Sequence, residues 1–302
     1  MIHLRPLVTT AALLLSAPIV SAQDKNKDKS EAIPMDTHVL ATQGAAPALG
    51  TTFTITRIIA SDGMSMKMSS GGKLTEGTVV KKETTVETLE GLGPGKMRRT
   101  LMSTGDEGTV TFNGQASRPP RRLDSLLETP VILTRAKGSW IADLEKGPAF
   151  ENQKRALQLL EQTVNRDFAF TGYGSAPHKP GDKWNASLEA FGPELFGEFA
   201  NAKDVKGTFT LELTGIKQQL DTPCAQLKAT FDLKGTPKGD PTGTFTFKGE
   251  GDILRSLRDQ VDLGWKYTAV IDVSAKGAAP GQPSMQVSGP LIITGTTTVK
   301  RP

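Results

Sequence analysis

Histidine is the side chain that most often moves protons or holds transition metals near neutral pH, and this chain has three of them. His3 sits in the first, apolar segment, His38 in a polar stretch that follows it, and His178 just ahead of a Pro-Gly turn. None is spaced from another as metal ligands are, and neither a serine nor the sole cysteine, Cys224, can be given a histidine partner for nucleophilic catalysis. Cys224 follows Pro223 and lies out of phase with Ala225, Leu227 and Phe231, so it reads as a structural or partly exposed free thiol. The 32 carboxylates are spread along the chain and mark no acid–base pair. No catalytic residue and no cofactor is expected, and a binding or structural role ranks ahead of an enzyme.

Two clusters remain with some chemical content. Met64, Met66 and Met68 alternate, so a strand would present three thioethers on one face. Thioether sulfur is a soft ligand suited to Cu(I), but methionine is first of all an adaptable core residue, and the core reading is preferred. Arg98, Arg99, Arg118, Arg121 and Arg122 form a basic set that could meet an anionic lipid head group or cell-wall polymer, or could simply be solvated. Gly91, Gly93 and Gly95 precede Lys96, yet Glu90 and Met97 stand where a phosphate loop needs glycine and a hydroxyl, so this is a hairpin turn. Asn185, Ala186 and Ser187 make a glycosylation sequon, relevant only in a host that uses it.

The elements that must position these residues are mostly strands. In Val261 to Ala275 the side chains Leu263, Trp265, Tyr267, Ala269, Ile271 and Val273 take every second position, with Asp262, Lys266 and Asp272 among the others. That period of two predicts a half-buried antiparallel strand with one wet face. The same alternation predicts strands over Thr51 to Ala60, Met64 to Ser69, Leu74 to Leu89, Lys96 to Ser103, Thr109 to Phe112, Val131 to Thr134 and Ser139 to Leu144, and around Phe209, Phe231 and Phe245. Pro148 with Phe150, Leu157, Leu160, Val164 and Phe168 predicts a helix reaching about Arg166, and a shorter one is expected at Pro193 to Ala200. The fold class expected is mainly β, with long antiparallel strands in a curved sheet or half-barrel and one packed amphipathic helix.

Residues 1–22 carry Arg5, an apolar run and the small pair Ser21 and Ala22, the layout of a secretory signal peptide. The apolar run is too short to span a bilayer, and no later one is longer. Residues 23–50 are expected as a mobile tether, and 51–302 as the β domain, with possible halves 51–147 and 180–302 joined by a helical segment 148–179. A membrane-spanning β-barrel is disfavoured, because aromatic residues are only 6% of the chain and no uniform apolar outer band is present. With 36 basic against 32 acidic residues, nothing points to nucleic acid.

The turn Lys179-Pro180-Gly181-Asp182-Lys183-Trp184, taken with GTFTLELTGI, PCAQLKATFDLKG and the block around GWKYTAVIDVSAKG, resembles an uncharacterised family of exported bacterial envelope proteins and lipoproteins. The resemblance covers roughly the second half and implies a periplasmic or secreted location. It carries over no site residues, and the lipoprotein members' anchoring cysteine is missing here. Within that setting the leading expectation is a carrier of an apolar ligand or lipid; a structural or assembly role with a filled core is the alternative.

Overall fold

A computed structural model of the chain describes residues 36–118, 124–188, 203–219, 222–236, 243–275 and 284–302. The signal-like segment, Arg121 and Arg122, and the short helix expected at Pro193 to Ala200 lie outside them. In chain order the strands before the helices are β1 (His38–Val39), β2 (Thr52–Ser70), β3 (Lys73–Gly93), β4 (Lys96–Phe112), β5 (Gln115–Ser117), β6 (Val131–Ala136) and β7 (Ser139–Leu144). Then come α1 (Glu151–Asn165) and α2 (Phe168–Tyr173). The second group is β8 (Pro177–His178), β9 (Lys183–Asn185), β10 (Lys203–Gln219), β11 (Thr222–Thr236), β12 (Thr244–Ser256), β13 (Asp262–Ala275) and β14 (Ser284–Lys300).

Twelve strands form one open, curved antiparallel sheet in the order β7-β6-β4-β3-β2-β14-β13-β12-β11-β10-β9, with β5 beside β4. Each group of long strands is a meander, and β14 returns to pair with β2 along most of its length. The two runs of strands therefore share a single sheet, with the first and last long strands at its centre. Two strands expected separately, Thr51 to Ala60 and Met64 to Ser69, are one strand. A bulge at Gly63, with φ of 106°, shifts the register between Asp62 and Met64. The extra residue moves the buried phase from odd to even numbers, so Phe53, Ile55 and Ile59 share a face with Met64 and Met66.

Period-two alternation sets the buried face as expected: Trp265, Tyr267, Ala269 and Val273 are buried on β13 while Lys266, Thr268 and Val270 are exposed. Glycines on β12 let rings lie flat on the sheet. A Cβ at Gly249 would collide with the Phe231 ring, and one at Gly251 with Tyr267. Phe231 in turn stacks on Phe247 at 4.7 Å between centroids and meets Tyr267 edge-on at 5.9 Å.

Helix α1 lays Leu157 and Leu160 against Leu133, Trp140 and Ala142, as its spacing predicts. Phe150 is exposed instead, because it is the residue before the first helical turn. The same helix closes the edge of the sheet. The Asn165 side chain accepts from the Trp140 N–H at 2.6 Å and donates to its carbonyl at 2.8 Å, and the Glu161 carboxylate accepts from the Ala142 N–H at 2.8 Å. Side chains thus take the place of the next strand on β7.

Residues 36–50, expected within a mobile tether, are instead packed on the fold. Leu40 and Ala41 are buried, the Gly44 N–H donates to Asp167 at 2.5 Å, and Gly50 and Thr51 exchange hydrogen bonds with Gly91. Glycines on both sides allow this close approach: a Cβ at Gly44 of the segment would collide with the Arg135 guanidinium, and one at Gly91 of β3 with the carbonyls of Pro47 and Ala48. The anchor is Arg255, 2% exposed. Its Nε donates to the Leu40 carbonyl at 2.6 Å, Nη1 to Asp262 at 2.6 Å and Nη2 to the Gln260 carbonyl at 2.5 Å, while its face covers the Tyr173 ring at 4.3 Å. The Tyr173 hydroxyl donates to the other Asp262 oxygen at 3.0 Å, and burial, followed by the charge of Asp262, pushes that phenol well above its ordinary pKa.

Two stability measurements follow from these contacts. Arg255→Met leaves Asp262 buried and unpaired, and is expected to cost about 3–5 kcal/mol in urea unfolding, with much of it recovered in Arg255→Met/Asp262→Leu; a single-variant loss under about 0.5 kcal/mol is the result for a surface residue and contradicts the assignment. Asn165→Ala/Glu161→Ala frees two strand N–H groups at about 1–3 kcal/mol each and opens the β7 edge. Concentration-dependent association in sedimentation velocity is expected, and a monodisperse double variant with an unchanged melt would refute the edge-closing role.

Candidate functional site

The inner face of the sheet changes character from one side to the other. Over β10 to β14 it is apolar, aliphatic with interspersed aromatic rings, with Leu211, Leu213, Phe231, Phe247, Trp265 and Tyr267 in one continuous cluster that also takes in Ile55 and Ile59 of β2. Over β2 to β4 charged side chains enter it. Arg57 stands in the inward phase between Ile55 and Ile59, and it and Glu87 of β3 are each 3% exposed. Next to them on the same face come Lys81, Glu83 and, paired across the ladder with Glu83, Asp106 of β4. A second apolar patch of Met64, Met66, Val79 and Val287 lies beyond this strip.

The charges of the strip are organised around Glu87. Arg99 donates to one carboxylate oxygen at 2.7 Å and Arg57 to the other at 3.4 Å, while Lys81 pairs with Glu83. Burial acts to raise the Glu87 pKa, but the guanidinium of Arg99 and then that of Arg57 outweigh it, holding the carboxyl below the ordinary 4.5. A buried row of opposite charges beside an apolar floor forms a surface with a polar and an apolar part.

The residues singled out in the sequence fall as follows. Met64 and Met66 are buried core side chains, and Met68 is half-buried opposite Met285 of β14. Arg98 does not face solvent alone: it bonds Glu90 at 2.5 Å and Glu145 at 2.5 Å, and Arg99 belongs to the Glu87 group. Arg118 is exposed at the end of β5. Gly93, Pro94 and Gly95 make the β3–β4 hairpin turn. Cys224 is wholly buried, its thiol donates to the Thr222 carbonyl, and burial raises its pKa, so it is a structural thiol. Asn185 accepts from Thr210 at 3.0 Å on exposed β9.

The Lys179–Trp184 turn works as its residues imply. Gly181 has φ of 95°, the Asp182 carboxylate accepts from the Lys179 N–H at 2.9 Å, and Trp184 packs against the main core. Sequence spacing hid one juxtaposition: His38 and His178 are direct partners across β1 and β8, and His178 stacks on Trp184 at 3.8 Å. Among the described residues, no group of three or more His, Cys, Asp and Glu is placed to hold a metal ion. Arg57 and Glu87 were missed as well, although a charge in the inward phase of an alternating strand was a readable signal.

No family model and no curated protein matches the chain, so the family resemblance of its second half stands without that support. Among solved structures, it is similar to lipovitellin, described as showing lipid–protein interactions, at 9% identity and a TM-score of 0.41, over 84% of this chain and 26% of that one. It is also aligned with a DUF1329 family protein from Desulfovibrio piger ATCC 29098 at 10% identity and a TM-score of 0.13, over 81% of this chain and 85% of that one. Neither score carries an argument from fold, and the chain's own inner face carries the functional reading. No helix among the described residues is long and apolar enough to cross a membrane.

The Glu87 group makes a pH-dependent prediction with a definite sign. A carboxyl whose folded pKa is lowered adds stability that is complete above its unfolded value near 4.5 and disappears as pH falls through the folded value. Glu87→Gln is expected to be about 2 kcal/mol less stable at pH 7 and to show a flatter acid limb below pH 4.5 in melting experiments. Parallel acid limbs for the two proteins would remove Glu87 as the titrating group.

Proposed function

We propose that this is an exported, non-enzymatic binding protein that holds a lipid or other apolar ligand against the inner face of its open sheet. The observation that carries the reading is the continuous aromatic and aliphatic floor of β10 to β14, which ends against a buried charged strip on β2 to β4. A sheet face with only a core to fill has little use for ions between strands already in register, because desolvating Arg57 and Glu87 costs more than filling the same volume with hydrocarbon. A face that must hold a molecule with both apolar and polar parts does. An open sheet also keeps a route between strands and solvent that a closed barrel of the same strands would not. The signal-like layout of residues 1–22 supports a setting outside the cytoplasm, in the periplasm or beyond.

The experiment is native mass spectrometry of protein purified from its own envelope, before and after organic extraction. A lipid-sized adduct at fixed stoichiometry that extraction removes is expected. Protein that arrives empty and takes up no fluorescent acyl probe overturns the carrier reading, and leaves a structural or assembly role with a filled core.

A further inference from the structure

Alongside Asp106 Oδ1, further along the charged strip, two neutral donors on the inner face are buried without a hydrogen-bond partner among the described residues: the Trp265 indole N–H and the Thr297 hydroxyl, at 5% and 6% exposure. Their positions are related. Trp265 of β13 pairs directly with Gly295 of β14, and Thr297 lies two residues further along β14, on the same face. Diagonal neighbours of this kind are about 7–8 Å apart. Gly295 pairs on its other side with Arg57 of β2. An indole donor and a hydroxyl donor therefore flank a residue with no side chain, and the backbone of Arg57, two strand spacings or about 10 Å from that of Trp265, completes the row. The row stands where the apolar floor meets the charged strip.

An indole N–H can only donate, so whatever satisfies it must bring an acceptor. A buried donor left unmet is costly; any oxygen acceptor would meet these two, and the two guanidinium groups against one carboxylate beside them favour an anionic oxygen over a neutral one. Arg57 is itself paired with Glu87, whose carboxylate Arg99 also holds, so two guanidinium charges stand against one carboxylate there. From this row the tail of a ligand can run over Tyr267 and Phe231.

We infer that the ligand is a long-chain anionic amphipath, and that its carboxylate or phosphate head is received by the Trp265 N–H and the Thr297 hydroxyl beside Arg57. This inference rests on the carrier reading and specifies its ligand class.

The test is isothermal titration of the delipidated protein with palmitate, hexadecyl phosphate and hexadecanol, with acetate and inorganic phosphate as heads without tails. Wild type is expected to prefer the anionic probes to hexadecanol by about tenfold, the worth of hydrogen bonds to a charged group, and to ignore the tailless ions. Trp265→Phe and Thr297→Val, which keep shape and remove the donors, are expected to erase most of that preference while still binding hexadecanol. Retained hexadecanol binding also shows that a variant is folded, and Thr297→Val decides alone if Trp265→Phe unfolds. Equal affinity for all three wild-type probes, or an unchanged preference in the variants, overturns the head-group site while leaving carriage intact. Binding of tailless ions as tightly as of palmitate makes it a simple anion site and overturns it too. No binding of any long-chain probe overturns both readings.

Discussion

A guanidinium taken out of water must be surrounded by partners, and Arg255 finds them in three parts of the chain, the residues around Leu40, Tyr173 and the Gln260–Asp262 corner. Its three donating nitrogens reach the Leu40 carbonyl, Asp262 and the Gln260 carbonyl, and its face lies on Tyr173. This one side chain therefore ties the segment before β2 and the short helix α2 to the β12–β13 corner. Hydrophobic contact would allow those pieces to slide, whereas directed bonds to two carbonyls and a carboxylate fix their register. With Leu40 held in place, the 36–50 segment crosses to Gly91 and the sheet acquires a cover at one end.

A second ionic group, around Glu87, does something different because it sits on the sheet itself. Arg255 gathers loops and a helix; Arg57, Glu87 and Arg99 come from three neighbouring strands whose register already places them together. Their contribution is to the nature of the surface. Burying them among Ile55, Ile59 and Leu101 gives the inner face a polar side and an apolar side without any change in backbone.

Much of the fold was legible because a half-buried strand records its environment at every second residue. Trp265 to Val273 gave the buried face of β13, and Leu157 with Leu160 the packed face of α1. What local pattern cannot hold is a partner distant in sequence. The pairing of β14 with β2, the meeting of His38 with His178 and the contact between Leu40 and Arg255 each join residues more than a hundred positions apart. The bulge at Gly63 was hidden for a related reason, since a phase shift in alternation looks like the end of one strand and the start of another. The 36–50 segment misled because small residues that permit tight packing are the same ones that permit mobility. For the candidate site the arginines stood out by number, yet the informative one was Arg57, alone and in the wrong phase.

The seam between β2 and β14 has a consequence for the order of assembly. Each meander is made of hairpins that close over short loops, but the seam joins strands separated by almost the whole described chain, with Ser61 donating to the carbonyl of Pro290 across 229 positions. Loop-closure entropy makes such a pairing late. Before it forms, β2 and β14 are both long, unpaired edges, each a template for any extended chain nearby. The protein thus passes through a state with two sticky borders, and its yield depends on how fast they find each other at the crowding of the compartment where it folds.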